Sequence, residues 1–169
     1  MSPEVVQAGA EELPLTGDTD VALRIAVALV LGLIVGFERE YHGHPAGMRT
    51  MALVCVGACV FTALGLEPAF GSRVDPTRIA AQIVTGVGFL GAGAILRQGG
   101  AVIGMTTAAT IWVAASLGMA IGFGYYALAI FTVVIVVASL TALRPLERRL
   151  FREQRSRRHT DPPKPEEQT

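Results

Sequence analysis

Apolar residues run in long stretches along this chain, and the polar positions fall in short clusters between them. Val21 to Phe37 is apolar but for Arg24, Thr50 to Leu66 carries no charge, and Ile79 to Leu96 is a third such stretch. A run of 46 residues between Arg97 and Arg144 has no charged side chain at all. At about 1.5 Å per residue that run would make a helix ~69 Å long, more than twice a hydrocarbon layer of about 30 Å. It must fold back. Gly122-Phe123-Gly124-Tyr125-Tyr126 is the predicted turn, because glycines end a helix and aromatic rings favour the headgroup level. The last two spans are therefore expected near 105–122 and 126–143.

The pattern predicts an all-α, polytopic membrane protein of about five spans. Its 169 residues are 51% apolar, with a mean hydropathy of +0.50. The formal charge of zero hides an asymmetry: Glu4, Glu11, Glu12, Asp18 and Asp20 precede Val21 with no base, whereas eight bases follow Leu143 against five acids. Five spans put the termini on opposite sides, and the basic tail assigns the C-terminus to the cytoplasm and the N-terminus to the outside. Arg39, Arg49 and Arg97 then fall in inner loops, and Arg73 and Arg78 in outer ones. Arg24, near the end of its span, is expected to snorkel to the interface. The first apolar stretch follows an acidic start and runs into charged residues, so it reads as a retained span rather than a cleaved signal.

The resulting organisation is an acidic external tail over 1–19 and a five-span membrane domain over 20–143. A basic amphipathic cytoplasmic helix over 144–155 starts at the Arg144-Pro145 break and lies on the anionic inner leaflet. A disordered, proline-rich tail covers 156–169.

Residues 85 to 93, TGVGFLGAG, contain Gly86-x-Gly88-x-x-Gly91, which matches a dinucleotide-binding fingerprint. Such a loop needs an acid about 20 residues later to hold the ribose. The next acid here is Glu147. Close helix packing explains the glycines better, since lipid tails give helices no hydrophobic reason to associate and small residues let backbones approach. Gly86, Gly88, Gly91 and Gly93 in the third span, Gly32 and Gly36 in the first, and Ala114, Gly118 and Gly122 in the fourth form small faces. Together they predict a compact bundle with the third helix near its centre. Cys55 and Cys59, four apart, read as small packing residues.

Three polar clusters could carry function. Glu38, Arg39 and Glu40 end the first span and Arg49 begins the second, so a hairpin would bring these charges together as surface ion pairs or as a buried network. Glu38, Glu40, His42 and His44 loosely suggest metal ligands, but the histidines argue against magnesium, which prefers oxygen. Asp75-Pro76 is a helix-start signal, and Arg78 and Gln82 follow on one face as a polar strip. Thr106, Thr107 and Thr110 open the fourth span with Trp112 beyond them. The preceding RQGGAVIG could dip into the membrane. No catalytic triad, activated cysteine or carboxylate pair stands at a recognisable spacing, so neither enzyme activity nor a cofactor is expected.

GFEREYHGHPAGMRT, DPTRIAAQIVTGVGFLGAGAIL and GMTTAATIWVAA, in this order, resemble the membrane domain of the MgtC/SapB family over roughly residues 20 to 150. The matching positions are Glu38, Arg39, Glu40, Gly47, Arg49 and Thr50; Asp75, Arg78, Gln82, Gly86, Gly88, Gly91 and Gly93; and Gly104, Thr106, Thr107 and Trp112. Met48 stands where leucine is expected, and His42 and His44 are outside the family pattern. The resemblance implies a bacterial inner-membrane protein linked to growth at low magnesium and, in intracellular pathogens, to virulence. It favours regulation through other inner-membrane proteins. The alternatives are a small cation transporter or channel and a structural homo-oligomer; no nucleic-acid partner is expected. Many members carry a further cytoplasmic domain, where a short basic tail follows here.

Overall fold

The structure, a computed structural model, describes residues 18–66, 75–98 and 101–150. Five helices and one small hairpin follow in order: α1 (Asp18–Tyr41), α2 (Met48–Gly65), α3 (Pro76–Gly93), β1 (Leu96–Gln98), β2 (Ala101–Ile103), α4 (Met105–Gly122) and α5 (Tyr126–Leu150). The protein is thus an all-α polytopic membrane protein. Among the described residues, four stretches are long and apolar enough to cross a bilayer: Thr19–Tyr41, Met48–Gly65, Met105–Gly122 and Tyr126–Leu143. The third predicted span, α3, is of similar length but is diluted by Arg78, Gln82 and four glycines and is not among those four.

Local chemistry sets the helix ends. Two helices close with a left-handed glycine in a Schellman arrangement, which satisfies otherwise orphaned carbonyls. At α1, Gly43 (φ 72°) donates to Glu40 O and His44 donates to Arg39 O. At α4, Gly124 (φ 84°) donates to Ile121 O and Tyr125 donates to Ala120 O, in the turn predicted from sequence. Asp75 caps α3: its Oδ1 accepts from Thr77 N at 2.9 Å and from Thr77 Oγ1 at 2.7 Å. Gly104, at φ 91°, begins α4 with its backbone against the carbonyl of Ala94, an approach no side chain would permit.

The core is built by α1, α2 and α4. Its buried residues include Ala28, Leu31 and Val35 of α1, Met51, Cys55 and Cys59 of α2, and Ala114, Leu117 and Ile121 of α4. Small residues make the crossings. A Cβ placed on Gly32 would fall 2.7 Å from Ala52 Cα, one on Gly36 would collide with Met48 Cα, one on Gly118 with Cys55 O, and one on Gly122 would lie 2.6 Å from Thr62 Cβ. Half of the α4 span is buried within the bundle, against 11% of the α5 span. Over 127–138 the exposed side chains of α5 are apolar, among them Leu128, Phe131 and Val134, as a lipid-facing helix requires.

The expected central place of the third helix is overturned. α2 packs extensively on α4 and only sparingly on α3, which lies at the edge against α4. A Cβ on Gly86, Gly88 or Gly93 would meet nothing within 4 Å; only Gly91 touches a neighbour, at 3.7 Å from Ala108. Glycine supplies close approach only where another backbone arrives, and α3 meets its neighbours mainly along the side that faces α4.

Other expectations also change. Arg24 does not snorkel; it is 5% exposed. The RQGGAVIG stretch carries strand pairing: Leu96 pairs with Ile103, Arg97 with Val102 and Gln98 with Ala101 in an antiparallel ladder. Gly99-Gly100, between the strands in sequence, belongs to the dipeptides that hairpins favour. α1 begins at Asp18, before the expected Val21. The break at Arg144-Pro145 does not occur, because α5 continues through Pro145 to Leu150. Proline removes a single amide donor, and an otherwise apolar membrane helix can absorb that loss. The acidic tail before Asp18, the amphipathic segment beyond Leu150 and the 156–169 tail lie outside the described residues.

Candidate functional site

At one end of the bundle α1 terminates in Glu38 and Arg39, 5% and 0% exposed. Their burial follows from the packing of α1 between α2 and α4 at this level. Arg39 donates from Nη2 to Thr107 Oγ1 of α4 at 3.2 Å, and its Nη1 lies 4.0 Å from Glu38 Oε2. His42 Nδ1 sits 3.0 Å from Glu38 Oε1 and 2.9 Å from Glu38 O. Because both neighbours are acceptors, Nδ1 carries a proton and donates. Glu40, one residue on, is exposed, and its Oε2 accepts from Met48 N at 2.9 Å, supporting the start of α2. A side chain at Gly47 would meet the Glu40 carboxylate, which would have to shift away.

The predicted hairpin cluster is therefore assembled in part. Glu38, Arg39 and Thr107 come together in the interior, and Glu40 serves the loop. Arg49 and Thr106 are exposed; among the described residues no salt bridge joins Arg49 to Glu38 or Glu40. Thr110 bonds its own helix, donating to Thr106 O at 2.7 Å. Trp112 is 49% exposed and stands apart from the polar group. Among the described residues no group of three or more His, Cys, Asp or Glu side chains is placed to hold a metal ion.

At the opposite end, Asp75, Arg78 and Gln82 share one wall of a groove of about 870 Å³ between α2 and α3. The remaining lining is apolar or glycine: Leu53, Val54, Gly57, Ala58 and Phe61 from α2, and Ile79, Ile83, Gly86, Val87 and Leu90 from α3. The two helices touch at this end, where Ile79 packs against Gly65. The Thr77 hydroxyl and amide hold the Asp75 carboxyl below the usual carboxylate range, with a smaller contribution from Arg78. The polar strip predicted from spacing thus exists, on the groove wall.

One site residue escapes sequence reasoning. Arg24 forms an ion pair with Asp20 (Nη2 to Oδ2, 2.8 Å) and donates from Nη1 to Gly122 O at 2.6 Å. An arginine here complements the negative end of the α4 dipole. The i, i+4 spacing of Asp20 and Arg24 was the available signal.

Buried charge at both ends of a three-helix core, a sheath of outward apolar residues and a laterally open groove define a small multi-pass helical membrane protein. The MgtC family model matches residues 25–149, and the chain belongs to that family. It is 38% identical over 133 residues to protein SapB of Bacillus subtilis (75% of this chain, 57% of that protein). It is 42% identical over 128 residues to protein MgtC of Salmonella typhimurium (76% and 54%), and 39% identical over 145 residues to an uncharacterized protein of Haemophilus influenzae (81% and 60%). The chain thus spans a little over half the length of these curated relatives. No solved structure matches it.

Proposed function

We propose that this protein acts in the bacterial inner membrane as a regulator of magnesium homeostasis, docking laterally against other membrane proteins during adaptation to low magnesium. One observation carries the reading. The glycines of α1 and α4 are consumed in internal crossings, whereas Ala81, Thr85, Gly88 and Ala92 of α3 recur at helical spacing on an exposed face. A backbone this bare suits the approach of a partner's transmembrane helix. Beside it Phe89 is 82% exposed and would add an apolar anchor. Family membership supports the link to magnesium. The end bearing Glu38, Arg39 and the hairpin faces the cytoplasm in this reading.

The test places a photo-crosslinking residue at Ala92 in cells grown at low magnesium. A discrete adduct that disappears with Gly88→Leu, together with loss of low-magnesium growth at unchanged protein level, supports docking. An adduct with a second copy of the chain would make the protein a homo-oligomer instead. Magnesium flux into reconstituted vesicles that vanishes with Asp75→Ala would replace regulation by transport.

A further inference from the structure

We propose that the groove between α2 and α3 is a binding site for a phospholipid with an ethanolamine headgroup, held by its phosphate at Arg78, its ammonium at Asp75 and one acyl chain along the groove floor. This face is separate from the Ala81–Ala92 stripe, so the proposal stands or falls independently of protein docking.

The groove is amphiphilic along its length. All three of its charged or amide side chains, Asp75, Arg78 and Gln82, sit on the first two turns of α3 or at its cap. Beyond them the lining is apolar, and Gly57 and Gly86 leave the floor bare: a Cβ on either would meet nothing within 4 Å. Leu53, Phe61 and Leu90 on its margins are exposed, so the groove opens sideways to where lipid lies. The polar end coincides with the start of α3, the depth of the headgroups for a helix that begins at the membrane surface.

Charge complementarity selects the headgroup. Arg78 offers a planar fork for a phosphate, reinforced by the positive end of α3. Asp75 lies three residues away, a carboxylate beside that cation. A purely anionic headgroup would satisfy Arg78 and be repelled by Asp75; a zwitterionic headgroup presents both opposite charges, and ethanolamine, unlike choline, also brings N–H donors for the Asp75 carboxylate. Gln82, one turn further in, faces the depth of the glycerol esters and can donate its amide to an ester carbonyl. A transmembrane helix is a poorer occupant, because it would bury Arg78 and Asp75 against an apolar surface. A lipid leaves both at the wet interface.

The full chain is reconstituted into vesicles of phosphatidylcholine and phosphatidylethanolamine containing a trace of phosphatidylethanolamine with a photoreactive acyl chain. Adducts are expected on residues 53–61 and 79–90 in preference to the lipid-facing side of α5. Gly86→Phe fills an open floor away from the headgroup and should abolish those adducts while thermal unfolding stays unchanged. Arg78→Gln should lower adduct yield about tenfold, the worth of one charge-assisted contact. Asp75→Asn retains the helix cap and should remove the preference for ethanolamine over choline competitor lipid. Labelling of α3 and α5 in simple proportion to exposure overturns the proposal. So does persistence of the groove adducts in Gly86→Phe, or a protein–protein crosslink at Gly57 and Gly86 in place of lipid.

Discussion

Arg24 reaches across the bundle and donates to the backbone carbonyl of Gly122 at 2.6 Å, tying the beginning of α1 to the end of α4. The carbonyl belongs to the last turn of α4, which has no amide of its own to accept from. Arg24→Met should therefore lower the stability of the detergent-solubilised chain by about 1.5–3 kcal/mol, the worth of a hydrogen bond to a charged group. Arg24→Lys keeps the charge without the fork that serves both Asp20 and Gly122, and should fall between. Thermal unfolding of the three proteins checks the order.

The glycines divide into two groups with opposite expected responses. Gly36→Ala and Gly118→Ala force a methyl group into the backbone of α2 and should each cost about 1–3 kcal/mol or more. Gly88→Ala meets open space and should be neutral or stabilising by up to about 1 kcal/mol, because alanine is the better helix former. Unfolding measurements on single substitutions separate the groups. A destabilising Gly88→Ala would mean that α3 is covered within the single chain.

The Arg39–Thr107 contact couples α1 to α4 in the interior. Thr107→Val preserves shape and removes the acceptor facing Arg39 Nη2, at an expected cost of about 1.5–3 kcal/mol. Combined with Arg39→Gln, the losses should be less than additive, since both remove the same bond. A double-mutant cycle on unfolding free energy reads the coupling; simple additivity would mean that the contact contributes nothing.

Asp75 gives a pH signature. Its carboxyl is held below the ordinary range by Thr77, so the cap's contribution is fully present above the unfolded value of about 3.9 and is lost as pH falls through the lower folded value. Amide exchange at Thr77 and Arg78 should be insensitive to protonation of the cap between about pH 5 and 8, apart from intrinsic exchange chemistry, and rise in protection-corrected terms below about pH 4. Asp75→Asn should remove that acid step.

Much of this architecture is legible in the chain because membrane helices advertise themselves by length. The 46-residue charge-free run had to turn, and Gly124 supplied the left-handed residue where the turn was expected. Asp75-Pro76 was equally readable, as a cap is local. Helix neighbours were less so. Gly86, Gly88 and Gly93 have the same composition as Gly32 and Gly36, but whether a backbone comes to meet them depends on which helices are adjacent, and spacing within one helix is silent on that. For the same reason Arg24 read as an interfacial cation: its acceptor is a main-chain carbonyl 98 residues away, and carbonyls leave no mark in a sequence. Arg39 could be placed at a helix end, while its burial depended on Thr107 arriving from another span.

The non-sequential contact of α2 with α4 has a consequence for biogenesis. The α1–α2 pair can close as soon as both helices leave the ribosome, but the flank of α2 that receives Gly118 and Gly122 stays uncovered until a segment made more than forty residues later is inserted. Cys55 and Cys59 lie on that flank and are fully shielded in the finished protein. Their thiols are thus open to a membrane-permeant alkylating reagent in stalled nascent chains and closed in completed ones, a chemical clock for the final step of assembly.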